Sequence, residues 1–223
     1  MIKNKNIGIF SDIHIGLGQN SSMWHEIVLD FAKWISDKYN SLGISDIIIP
    51  GDIFHNRSEI GVNTISVANE FFEILKDFNI YISTGNHDSF YKENSTVNSI
   101  SILKGWKNIT IIDKGPLIIK SSNKTLSLIP WGTAIEDIPK TDICFGHFEI
   151  QSFYMNGTKV CDHGFESSNI LNKAPLVFSG HFHKRQHETN IHYIGNPFGH
   201  NYADSWDTER GAMFLSWGED PEY

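Results

Sequence analysis

Two cysteines in 223 residues, Cys144 and Cys161, are too few for a disulfide framework, and their scarcity fits a reducing compartment. No run of about 18 apolar residues is present, so no membrane-spanning helix is expected. The N-terminus, Met1-Ile-Lys-Asn-Lys-Asn-Ile-Gly-Ile-Phe10, has two lysines but no apolar stretch of signal-peptide length. A soluble, cytoplasmic protein is the expectation. Basic residues are also in deficit: 18 Lys and Arg face 26 Asp and Glu, a net charge of −8. At first sight this argues against nucleic acid, whose binders usually carry a cationic excess. No repeat, charged block or low-complexity tract marks a linker. With 40% hydrophobic and 13% aromatic residues, a disordered, collagenous or purely coiled-coil chain is excluded. At roughly 150 residues per domain, one domain over residues 1–223 is the default.

Apolar runs and their periods supply the fold. Ile7 to Phe10 ends in Ser11-Asp12, and Ile44 to Pro50 closes on Gly51-Asp52; both read as buried parallel strands. Between them Trp24, Ile27, Val28, Phe31 and Ile35 recur at helical spacing, with Ser21 or Ser22 as cap and Gly43 as stop. A second helix follows Ser58 through Ile60, Ile65, Ala68, Phe71, Phe72, Leu75 and Phe78, then leads into Ile80-Tyr-Ile-Ser-Thr84. Val62 lies beyond its apolar stripe. Later residues form short β-runs, at Leu117 to Lys120, Thr125 to Ile129, Asp142 to Phe145, Leu176 to Ser179, Ile191 to Ile194 and Ala212 to Trp217. Asn-Gly within Met155-Asn156-Gly157-Thr158 suits a type I′ hairpin turn. The chain reads as α/β, with a βαβαβ start and a strand-rich second half.

Eleven histidines are many for this length. Five segments place Asp, His or Asn just after a strand, where open α/β folds present residues to ligands. They are Asp12-Ile13-His14, Gly51-Asp52-Ile53-Phe54-His55, Gly85-Asn86-His87-Asp88, Gly146-His147 and Gly180-His181-Phe182-His183. Seven side chains emerge as metal-ligand candidates: Asp12, His14, Asp52, Asn86, His147, His181 and His183. Phosphodiester hydrolysis needs neutralised phosphate oxygens, a nucleophile at neutral pH and a stabilised leaving oxygen, and two divalent ions roughly 3.5–4 Å apart supply all three. One shared carboxylate would give each ion four protein contacts. Mixed His, Asp and Asn ligation without thiolate favours Mn2+, with Fe2+, Zn2+ or Mg2+ as the other choices.

The ordered motifs D-x-H, G-D-x-x-H, G-N-H-D, G-H and G-H-x-H resemble the calcineurin-like metallophosphoesterase superfamily, and together they run from Asp12 to His183. Gly51-Asp-Ile-Phe-His55, Leu128-Ile-Pro-Trp131, Tyr193-Ile-Gly-Asn-Pro197 and Glu209-Arg-Gly211 resemble its SbcD-like DNA recombination and repair nuclease branch. The resemblance implies a central β-sandwich flanked by helices in α/β/β/α layers. It also implies Asp12, His14, Asp52 and His183 on one ion, with Asp52, Asn86, His147 and His181 on the other. His87 is implied as the group that stabilises the transition state or protonates the leaving oxygen, with Asp88 orienting it and His55 aligning a ligand or contacting a phosphate.

The activity implied is a DNA endo- or exonuclease acting in recombination, repair or replication with an SMC-like coiled-coil ATPase partner, and with homodimerisation through core helices. The other readings are a phosphodiesterase or phosphatase for a nucleotide, small phosphoester or phosphoprotein, and a non-catalytic scaffold. Only a short tail follows the last ligand, so a catalytic core without a capping domain is expected. For His55 and His163 the sequence leaves both a cleft role and ordinary loop packing open. His25, His187, His192 and His200 read as packing or surface residues. Arg57 and Arg185 are candidates for the cleft rim, and Tyr202 or Trp206 for stacking on a base.

Overall fold

The computed structural model describes residues 6–121, 123–155, 157–202, 204 and 208–216. In chain order its strands are β1 (Asn6–Ile9), β2 (Asp46–Pro50), β3 (Asn79–Ser83), β4 (Ile109–Ile112), β5 (Leu117–Ser121), β6 (Lys124–Leu128), β7 (Ile143–Gly146), β8 (Leu176–Ser179), β9 (Gln186–Glu188), β10 (Ile191–Tyr193) and β11 (Met213–Ser216). One sheet has the order β11-β1-β2-β3-β4 and the other β5-β6-β7-β8-β10-β9. Neighbours from β1 to β4 are parallel, as are those joining β6, β7, β8 and β10, whereas β11, β5 and β9 pair antiparallel at the edges.

The two sheets pack face to face. Ile7, Ile9 and Ile48 from the first meet Leu126, Leu128, Phe145 and Phe178 from the second in one buried cluster. The first sheet's other face is covered by α1 (Ser22–Ser41) and α2 (Val62–Ile74) through Phe31, Ile35, Phe71 and Phe72. Because both faces of β2 are covered, every residue of Asp46–Pro50 is buried, as a parallel central strand requires. The outer layer on the second sheet is thinner than the resemblance implies. It is mostly loop around the five-residue α3 (Ser167–Leu171), with Phe148, Phe153, Phe182 and Tyr193 supplying the apolar contacts.

Both long helices obey their local signals, with shifted ends. Ser21 is the cap of α1, its hydroxyl accepting the Trp24 N–H at 3.4 Å, and Gly43 takes the left-handed conformation (φ 65°) just past its end. The second helix starts at Val62, later than Ser58, because Ser58 is engaged in a turn with the Asn56 side chain at 3.0 Å. Val62 itself is 86% exposed. The expected hairpin is flanked by an antiparallel Tyr154–Val160 bridge and a Met155 N–H bond to the Lys159 carbonyl at 2.8 Å. Asn156, Trp206 and Trp217 lie outside the described residues. Among the described residues no helix is long and apolar enough to cross a membrane.

What positions the site is the meeting of strand ends from both sheets. β1, β2 and β3 end beside β7 and β8, and the His147 Nδ1–H donates across the sandwich to the Pro50 carbonyl at 2.8 Å. Gly51 (φ 97°) makes this approach possible: a Cβ there would sit 2.6 Å from His147 Nδ1 and 2.7 Å from Gly85 Cα. Tyr39 of α1 fastens the sheet edge, its hydroxyl accepting the Ile9 N–H at 2.9 Å and donating to the Met213 carbonyl at 2.8 Å. Tyr39→Phe leaves both buried groups unpaired and is expected to lower the unfolding free energy by about 1–3 kcal/mol in urea titrations.

Candidate metal centre

All seven expected ligands converge at these strand ends. Asp12, His14, Asp52 and His181 have φ of 57°, 52°, 55° and 87°, a left-handed region that costs a non-glycine residue on the order of 1 kcal/mol or more. Interlocking backbone bonds hold them there. The Asp12 N–H reaches the Gly51 carbonyl at 3.3 Å, the His14 N–H reaches that of Asp52 at 3.0 Å, and the His181 N–H points at both Asp12 carboxylate oxygens at 3.2 Å.

Asp52 is the shared member. Its Oδ2 lies 3.4 Å from His14 Nε2 and 3.3 Å from His147 Nε2. Asn86 Oδ1 is 2.9 Å from both His147 Nε2 and His181 Nδ1. Donors about 2.1 Å from one ion stand about 3.0 Å apart at right angles and about 4.2 Å apart across it. The Asp52, Asn86, His147 and His181 group therefore has the spacing of neighbouring ligands. The Asp12 group is looser, with Asp12 Oδ1 3.9 Å from His14 Nε2 and 3.8 Å from His183 Nε2. His14 Nε2 is buried with no hydrogen-bond partner, aimed at two carboxylates, and such an orphan lone pair fits a cation.

Charge distribution agrees with that fit. Burial alone would raise the Asp52 carboxyl, but the facing His147 and His14 imidazoles overcome it and hold it well below the usual carboxylate range. Burial opposes a charged His147, yet the Asp52 carboxylate raises it to about 9. Burial holds His14 well below its ordinary value despite Asp52. With the protein groups alone, a proton on His147 thus stands where a cation would neutralise the cluster.

A profile of calcineurin-like phosphoesterases matches residues 5–185, most of the chain. The chain belongs to the calcineurin-like phosphoesterase family. As such it is a hydrolase of phosphoester bonds, with His and Asp groups suited to divalent ions. It is similar to the protein named Exonuclease subunit 1 of Enterobacteria phage T4, at 32% identity over all of this chain and 67% of that protein. Among solved structures, a dimetal phosphatase from Danio rerio superposes with a TM-score of 0.57 at 9% identity, covering 98% of this chain and 94% of the other. A purple acid phosphatase from yellow lupin superposes at 0.51 with 14% identity, covering 82% of this phosphoesterase and 39% of the lupin chain. These two likenesses concern the fold.

The histidines and acids around the ligands divide by what they touch. His87 donates its backbone N–H to Asp52 Oδ1 at 2.8 Å and its Nδ1–H to the His55 carbonyl at 2.7 Å, leaving Nε2 as its available atom. His55 Nδ1 lies 3.3 Å from His14 Nδ1, where it aligns that ring. Asp88 does not orient the His87 ring, contrary to expectation. It is fully buried and accepts the backbone N–H groups of Asp52, Gly85 and Phe54 at 2.8, 3.0 and 3.1 Å. Burial and the nearby Asp52 charge push its carboxyl up to about 6. Arg185 is also corrected: it is buried, with Nε donating to the Ile194 carbonyl at 2.9 Å, so it belongs to the interior and not to a cleft rim. Tyr202 is exposed.

Glu149, Trp131 and His200, outside the expected set, border the candidate ligands of this phosphoesterase, and His163 borders Glu149. Glu149 Oε1 accepts from His181 Nε2 at 3.2 Å, which turns His181 Nδ1 toward Asn86 Oδ1. His163 Nε2 reaches the same Glu149 oxygen at 3.6 Å. Trp131 lies 5.5 Å from the His181 ring, its indole N–H bound to the Lys92 carbonyl at 2.7 Å. His200 is buried beside His14 and His183, with ring centroids 5.0 and 4.9 Å away, where burial and then His183 and Arg210 push it down to about 2. Glu149 had a signal: it stands two places after His147, just past the end of β7.

Two outcomes follow from this geometry. Asp88→Ala strands three buried N–H groups and is expected to cost about 3 kcal/mol or more of stability in chelator-treated protein, measured by denaturant unfolding. With the Asp52 carboxylate raising His147 to about 9, a cation bound through its Nε2 would have to displace a proton below that pH. Metal affinity should therefore rise as pH rises toward that value, by about tenfold per unit for one displaced proton, with calorimetry between pH 6.5 and 8.5 as the check.

Proposed function

We propose that this chain is a divalent-metal-dependent DNA nuclease that hydrolyses phosphodiester bonds as a subunit of a complex acting in recombination, repair or replication. The observation that carries this reading is the similarity, over all of this chain and 67% of the other, to a phage T4 protein whose name is Exonuclease subunit 1. The word subunit motivates a partner, which we take to be an SMC-like coiled-coil ATPase. The deficit of basic residues, 18 against 26 acidic, supports dependence on such a partner for gripping long DNA. Two buried, free cysteines favour a cytoplasmic setting, that of the host cell for a phage protein.

On this reading Asp12, His14, Asp52 and His183 hold one ion, and Asp52, Asn86, His147 and His181 the other, with Mn2+ as the preferred metal for this thiolate-free donor set. When bound, the pair neutralises phosphate oxygens and makes a nucleophile available at neutral pH. The protein's own groups do the rest. Asp52 fixes the separation of the two ligand groups, because one carboxylate belongs to both. Pro50 and Glu149 fix the tautomers of His147 and His181 by accepting from the ring nitrogen that faces away from the cluster. His87, anchored at Nδ1 by the His55 carbonyl, presents Nε2 as the proton donor to the leaving sugar oxygen.

Manganese-loaded protein with labelled linear and closed circular DNA provides the test. Cleavage of the linear form alone indicates an exonuclease and cleavage of both an endonuclease. Inertness toward DNA together with rapid turnover of an artificial phosphomonoester over the matching diester overturns the reading. His87→Gln is expected to retain bound metal and lose about 10²–10⁴-fold in rate. A variant cleaving at the wild-type rate removes His87 from the mechanism.

A further inference from the structure

Among the described residues, His200 is the one histidine whose two ring nitrogens are both buried without a hydrogen-bond partner. Its residue is 7% exposed, so water does not satisfy them. Other buried histidines differ. His25 has Asn63 at 3.0 Å, and His147 has Pro50 and Asn86. A buried imidazole that can donate and accept, yet does neither, is a costly arrangement unless a ligand completes it.

Its position says which ligand. One donor atom each of His14, His183 and His200 lies within 4.8 Å of the others, and His14 belongs equally to the Asp12, His14 and Asp52 group with the same limit. That limit is only slightly beyond the about 4.2 Å that separates opposite donors on one ion. The ring is held in place from its backbone. The His200 N–H donates to Asp204 Oδ2 at 2.7 Å, and Asp204 is fixed in turn by Arg210 at 3.3 Å and Asn196 at 3.3 Å. Phe198 flanks the ring at 5.4 Å.

We infer that His200 is an additional nitrogen ligand to the divalent ion shared by Asp12, His14, Asp52 and His183. This rests on the two-ion reading above. It makes that ion's surroundings richer in imidazole than those of its neighbour, which biases the site away from Mg2+ and toward ions that accept imidazole readily, such as Fe2+ or Zn2+. His200 then depends on the metal for its place in the interior, because its ring nitrogens have no hydrogen-bond partner once the ion leaves.

The test separates this inference from the reading beneath it. Manganese titration calorimetry on the purified chain is expected to give two ions for the wild type. In His200→Phe, which keeps a ring without donors, one ion should weaken by about 10- to 100-fold while the other is unchanged. His200→Phe binding both ions as the wild type does overturns the inference alone, whereas a wild-type chain that binds fewer than two overturns the two-ion reading as well. A second measurement needs no variant. With 113Cd and 15N-histidine, one-bond coupling to the ring nitrogens of five histidines is expected, and coupling confined to His14, His147, His181 and His183 overturns it.

Discussion

A single buried carboxylate organises this molecule. Asp52 Oδ2 faces His14 and His147, its Oδ1 takes the His87 N–H, and its own N–H is bound to the Asp88 carboxylate. Isolating such an anion from water is costly unless cationic or hydrogen-bonding partners surround it. The carboxylate follows β2 and its partners come from the ends of β1, β3 and β7, in both sheets, so satisfying one charge requires the sandwich to close in one register. The left-handed turns at Asp12, His14 and Asp52 are a consequence. They cost backbone strain, and that strain is sustained because three chain segments meet on the same oxygen atoms.

That local arrangement changes the meaning of the global charge. A chain of net charge −8 looks unsuited to a polyanion, but two divalent ions would bring −8 + 4 = −4, and the cations would stand where phosphate oxygens arrive. Arg185, which reads from the sequence as rim charge, is spent on the Ile194 carbonyl inside the fold. The chemistry and the grip on substrate are therefore separable, and the second has little support from this chain's own basic residues.

Most of the fold, and the meeting of the seven candidate ligands at one place, were legible because each of the five segments follows an apolar strand, and in four of them a glycine directly precedes the first candidate residue. Residues outside that pattern were harder to read. Gly199-His200 repeats the Gly-His doublet of Gly146-His147 and Gly180-His181, but no strand precedes it, so its approach to His14 is a tertiary fact. Asp88 adjoins His87 in sequence, which suggested a partnership, while the sharp turn sends its carboxylate into the backbone of Asp52 and Phe54. The thin outer layer on the second sheet was unreadable for a different reason. Loops packing through scattered aromatics such as Phe148 and Phe153 carry no periodicity.

The two ligand groups are unequal, and the inequality follows from what supports them. Asn86, His147, His181 and Asp52 stand at 2.9–3.3 Å, with Pro50 and Glu149 fixing both imidazole tautomers, so an ion there finds its donors already placed. Around Asp12 the distances open to 3.8–3.9 Å, and His14 Nε2 and both His200 ring nitrogens lack hydrogen-bond partners. An ion there must draw its donors inward, and the ordering it imposes reduces its net affinity. Sharing Asp52 would couple the two: a cation in the tighter group would displace the proton from His147 and hold the carboxylate that the looser group also needs. A cation there would add charge that disfavours a second one nearby, and a neutral, nitrogen-rich environment would gain binding strength without adding to the negative charge already held by Asp12 and Asp52.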